Sequence, residues 1–314
     1  MSLKHIINLF DIMDDSSVSG EKIKEYLKEI SYEVECHVQT INEDKGNTDF
    51  ISIKIPGING KDRGGDAPTL GIIGRLGGIG ARPEQRGFVS DGDGALCAVS
   101  ISAKLLSMIS KGDQLDGDVI VSTHICPNAP TQPHDPVPFM DSPVHISTMN
   151  AYEIHSEMDA VLSIDTTKGN EIVNHRGFAI TPTVKEGYIL KVSKDLLHLY
   201  TQTTGKLPVT LPITTQDITP YGNGIDHINS ILQPAVATDK PVVGVAITTE
   251  TAVAGSSTGA THPLDIEQTT RYCIEVAKLF GEKKCDFYDA NEFSKLESLY
   301  GKMTHLQTMK KVSE

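Results

Sequence analysis

Four short apolar runs, at 69–73, 118–123, 160–165 and 242–247, limit what this chain can fold into more than any other feature. They have strand rather than helix length, and those at 69–73 and 118–123 read as strands covered on both faces. Helical spacing separates them, at 95–110, 147–157 and 195–203, and follows the last at 265–280. Such alternation indicates a three-layer α/β domain with a mostly parallel, mixed sheet. Ahead of it, 4–13 and 20–30 read as amphipathic helices, with Ser19 as the N-cap of the second. The alternating segments 33–40 and 49–55 read as an antiparallel strand pair, and 188–192 and 209–213 as further strands. No internal repeat or flexible linker interrupts the pattern. Residues 1–314 therefore read as a single α/β domain, with 281–314 a charged extension that turns helical near 291–303.

Charge excludes several classes of partner. Lys+Arg 28 against Asp+Glu 41 gives a net charge of −13, and no basic run offsets it, so neither nucleic acid nor an anionic membrane is an expected partner. No uninterrupted apolar run reaches the length of a membrane span. The acidic residues Asp11, Asp14 and Asp15 come too early for a signal peptide. Five scattered cysteines without a Cys-x-x-Cys pair suit a reducing cytoplasm. The expected partner is a small anionic molecule, with a homo-oligomer left open.

The strand ends carry the chemistry. Arg75 follows 69–73, and Asp91 follows the strand-like piece 87–89. His124 and Cys126 follow 118–123, Asp165 ends 160–165, and His262 precedes the last long helix. Ligands of open α/β sheets bind outside the carboxyl ends of the strands, so this clustering marks a site. In Ser90-Asp91-Gly92-Asp93-Gly94 the two carboxylates either cap the helix that follows or turn into a cleft to hold a cation. His124 and Cys126, two apart on a strand, face the same way. With His134 and Asp135, on a loop bearing six prolines between 127 and 143, they are candidate zinc ligands. The alternative is a hydrogen-bonded core histidine beside a small buried hydrophobe. Such proline density is expected to exclude helix and sheet and to stiffen the loop. Gly74, Gly77, Gly78 and Gly80 with Arg75, Arg82 and Arg86 suit a carboxylate or phosphate, or else form a structural loop with paired arginines. Gly255-Ser256-Ser257-Thr258-Gly259 fits Gly-x-Ser-x-Gly but lies too far from strand and helix to form a nucleophile elbow.

The order of these elements resembles the zinc aminopeptidase and amidohydrolase superfamily, whose members hold two metals at strand ends. By that resemblance Asp91 is the bridging aspartate, Asp165 the later metal aspartate and His262 the last histidine. The pattern departs where Arg75-Leu76-Gly77 replaces His-x-Asp, and where Pro127-Asn128 falls near the expected Glu-Glu. Over nearly the whole chain, stretches such as Gly71-Ile72-Ile73-Gly74-Arg75-Leu76-Gly77-Gly78 and Thr123-His124-Ile125-Cys126-Pro127 resemble a bacterial and archaeal family of unknown function, numbered 1177. Two functions follow as expectations. One is a hydrolase of amide bonds in a small anionic substrate, with zinc or another divalent metal held by Asp91, Asp165 and His262, and Cys126 and His134 as replacement ligands. In it His124 or Asp135 is the base, and Arg75, with Arg82 and Arg86, binds the substrate. The other is a non-catalytic relative that binds an anionic metabolite or a protein partner, with Arg75 paired to Asp91 or Asp165 where a metal would sit.

Overall fold

The computed structural model describes residues 2–75, 87–133, 135–218, 230–256 and 260–307. Helices α1 (Ser2–Met13) and α2 (Gly20–Ile30) come first, and the Ser19 hydroxyl caps α2 through the Lys22 amide. The antiparallel pair β1 (Glu35–Glu43) and β2 (Gly46–Ile55) follows, then β3 (Leu70–Gly74), α3 (Asp93–Ile109) and β4 (Val119–Ile125). A hairpin of β5 (Thr131–Gln132) and β6 (Phe139–Met140) leads to α4 (Ile146–Glu153) and β7 (Ala160–Thr166). Next come β8 (Gly177–Ile180), β9 (Val184–Lys185), β10 (Tyr188–Ile189) and α5 (Lys194–Thr204). The chain continues through β11 (Val242–Thr248), α6 (Pro263–Gly281) and α7 (Ala290–Tyr300).

Among the described residues nine strands form one mixed sheet in the order β1-β2-β4-β3-β7-β11-β9-β10, with β8 also paired to β11. Its centre is parallel: β4, β3, β7 and β11 run the same way, and each is almost wholly buried. Burial on both faces is what their continuous apolar sequences require. Alternation then sorts the side chains. Leu70, Ile72, Val119, Val121, Leu162, Ile164, Val243 and Val245 join a large core with α1, α2, α3, α5 and α6. Ile73, Ile120, Val161, Val242 and Ala246 face the other layer, where they meet Ile231 and Leu232 of a 3-10 segment.

Several expected elements differ. The piece at 87–89 forms no strand; it runs into a 3-10 turn at Ser90–Gly92. Residues 209–213 contribute a single bridge, Thr210 to Ile180, rather than a strand. The proline-rich loop does hold a sheet element, because β5 and β6 use the non-proline residues between the prolines, which keep their N–H donors. The stretch Ser90–Ile109 is long and apolar enough to cross a bilayer by length and composition, but most of it is buried against the sheet and neighbouring helices.

Candidate functional site

Close backbone approach brings the start of α3 to the strand ends. A Cβ on Gly74 would lie 2.6 Å from the Gly94 carbonyl oxygen, and one on Gly94 would lie 2.8 Å from the Ile164 oxygen. Only glycine at both positions lets α3 dock at the ends of β3 and β7, and Asp91, just ahead of α3, comes within electrostatic reach of Asp165. Three hydrogen bonds tie the same corner: Ser90 Oγ to Gly255 O (3.0 Å), Thr166 Oγ1 to Ser90 O (2.8 Å) and Val253 N to Lys168 O (2.8 Å).

Neither acidic residue caps α3. The N-cap position is Gly92, without a side-chain hydrogen bond. The fully buried Asp93 carboxylate instead pairs with Lys168 Nζ and accepts from Thr261 Oγ1 at 2.7 Å, while Lys168 also donates to Ala260 O at 2.9 Å. Burial raises the Asp93 carboxyl above its usual value, with the Lys168 charge opposing it. His262, half-buried beside Thr261 at the N-cap position of α6, lies within electrostatic reach of Asp93.

Asp91 takes a different role. Its Oδ2 accepts from the Met140 amide at 3.0 Å, so the proline-rich loop closes over it, and its own amide donates to Gly255 O at 3.0 Å. Burial, and then the charge of Asp165, push its carboxyl up to about 7. Asp165, at the end of β7, accepts from the Thr166 amide at 2.7 Å. The turn above is tight: a Cβ on Gly255 would sit 2.1 Å from Asp91 Oδ2. Gly255→Ala is therefore expected to displace Asp91 and to lower stability by about 1–3 kcal/mol, read by denaturant unfolding. A neutral result would mean that the 253–255 turn does not hold Asp91.

Arg75, His124 and Asp165 share the sheet face opposite α3, since each is in step with a residue of that layer or with another of the three. Arg75 does not pair with Asp91 or Asp165 as expected. Its Nη1 donates to Glu153 Oε2 at 2.5 Å and to Asn150 Oδ1 at 3.3 Å, both on α4. His124 Nδ1 donates to the other Glu153 oxygen at 2.7 Å. All three side chains are essentially inaccessible to solvent. Burial pushes the Glu153 carboxyl up, but the Arg75 charge and the His124 hydrogen bond outweigh it and hold the group below its usual range.

The other candidates scatter. Cys126 is buried among Val89, Ala129 and Met140, and burial pushes its thiol up to about 11. Asp135 is exposed in the turn between β5 and β6. Arg82, Arg86 and His134 lie outside the described residues, as does Ser257. The donors do not fit the two-metal centre that the aminopeptidase resemblance implies. Arg75 and Lys168 occupy carboxylates with fixed positive charge, the Cys126 thiol is held protonated, and among the described residues no three His, Cys, Asp or Glu gather as metal ligands.

Sequence reasoning passed over Glu153, Asn150 and Lys168. Met149, Asn150 and Glu153 fall on one helical face and are all buried, a pattern the sequence displays but which a glutamate at a helix end disguises.

The family described as "Protein of unknown function (DUF1177)" matches residues 39–310. The chain belongs to this family. No curated protein matches it.

Proposed function

We propose that this DUF1177 protein binds a small anionic metabolite at the carboxyl ends of its parallel strands, in an aminopeptidase-like frame where ion-paired cations stand in place of metals. One observation carries the reading: two buried cations, Arg75 directly after β3 and Lys168 just after β7, stand at the ends of parallel strands, each held by a buried carboxylate. Buried charge is costly, and a surplus of it at the rim where α/β sheets bind ligands is better explained by a ligand than by stability. The net charge of −13 argues against nucleic acid and anionic membranes, and five reduced, buried cysteines fit a cytoplasmic setting.

A second reading, hydrolysis of an amide bond, is favoured by Asp91. A carboxyl at about 7 is suited to hold a proton and to release it near neutrality, which is the requirement for a general acid or base. In that reading Asp91 moves the proton and His124, locked to Glu153, serves to position Arg75 through their shared carboxylate.

The test is elemental analysis of protein purified without chelator or metal-affinity resin, joined to thermal melting with zinc or EDTA. The expected result is metal well below one equivalent and a melting temperature that neither addition moves. One or two equivalents of tightly bound zinc would overturn the charge-replacement reading.

A further inference from the structure

The Arg75 guanidinium spends only one of its three nitrogens. Nη1 makes both hydrogen bonds to α4, whereas Nε and Nη2 are buried and have no partner among the described residues. These two are the nitrogens of the side-on edge, whose parallel N–H groups match the two oxygens of one carboxylate. Leaving such donors buried and unpaired is costly, because they have lost water and gained nothing. On the same sheet face the hydroxyls of Ser122 and Ser163 are also buried without partners among the described residues. Both stand in register with Ile73, two residues before Arg75, on the strands either side of it. Unspent donors thus stand on three adjacent strands of one sheet face.

We infer that the Nε–Nη2 edge of Arg75 is the anchor for a single planar carboxylate of the ligand, with Ser122 and Ser163 left to a polar substituent beside it. The inference rests on the anion-binding reading above and narrows it. Carboxylate is favoured over phosphate because Glu153 already shares the guanidinium, and a second charge on the ligand would add repulsion in a site without solvent. Since no part of Arg75 is exposed, the ligand enters through local opening, and association is slower than diffusion allows.

The experiment titrates the wild-type protein with acetate, benzoate and succinate, and separately with inorganic phosphate. Calorimetry gives affinity, and the nitrogen-15 signal of the buried Arg75 Nε–H reports the anchor directly. Arg75→Lys keeps a charge for Glu153 but has no fork. The expected result is a shifted Nε–H signal with a carboxylate, binding on the order of tenfold tighter than phosphate, and a loss of at least about that factor in Arg75→Lys. If phosphate binds as tightly through the same signal, the carboxylate assignment falls while anion binding stands. Heat of binding without any Nε–H shift overturns the anchor and sends the anion elsewhere. An Nε–H that contacts only water, with no anion bound by calorimetry, overturns both readings. Should Arg75→Lys fail to fold, the wild-type titration decides alone.

Discussion

Arg75→Ala is expected to lower stability by on the order of 3–5 kcal/mol, because it leaves the Glu153 carboxylate buried without its cation. The pair is fully enclosed, so solvent does not screen the loss, and His124 offers a single remaining hydrogen bond. The partners matter more than the pair. Replacing Arg75 by Met together with Glu153 by Leu removes both charges and is expected to recover most of the deficit, since a packed apolar pair is often no worse than a buried ion pair. Denaturant unfolding of Arg75→Met, Glu153→Leu and the double variant measures the coupling. An Arg75→Ala protein as stable as the wild type would mean that Glu153 takes up a proton at little cost, and that the ion pair is not what holds α4 against β3 and β4.

The legible part of this fold was the part governed by one-dimensional pattern. Apolar runs gave the four central strands, and helical spacing gave α3, α5 and α6 to within a few residues at most ends. Short pieces escaped because their stability is not their own: β8 and β9 are held by β11, not by local propensity. The site was half legible for a similar reason. Polar residues at strand ends stand out against apolar runs, so Arg75, Asp91, His124 and Asp165 were visible. Their partners were not. Lys168 in Thr166-Thr167-Lys168-Gly169 and Glu153 at the end of α4 look like solvated surface residues, and only tertiary packing buries them. The non-catalytic reading accordingly paired Arg75 with the wrong acid, since charge complementarity alone cannot choose among Asp91, Asp165 and Glu153.

Asp91 makes stability depend on pH in the direction opposite to ion-paired Glu153, whose carboxyl is held below its usual range. Its carboxyl rises from 3.8 to about 7 in the folded protein, so between those values the native state holds a proton that the unfolded chain has lost. Stability is then greatest at low pH on this account and falls as pH rises through about 7. The full difference is about 4 kcal/mol by linkage. His5, His155 and His175, whose burial lowers them below the usual imidazole value, work the other way and add stability as pH rises through their ordinary range. Wild-type melting alone therefore mixes opposed trends. Asp91→Asn isolates the carboxyl, because the histidine contributions are common to both proteins and cancel in the difference. The variant is expected to gain on the wild type between pH 5 and pH 7, by a total of about 2–3 kcal/mol, and the difference levels off above that. Parallel curves would show that ionised Asp91 costs nothing, which requires a cation beside Asp91 and Asp165. That outcome would return the strand ends to a metal site, with Arg75 and Lys168 serving the carboxylates around it rather than replacing the ion.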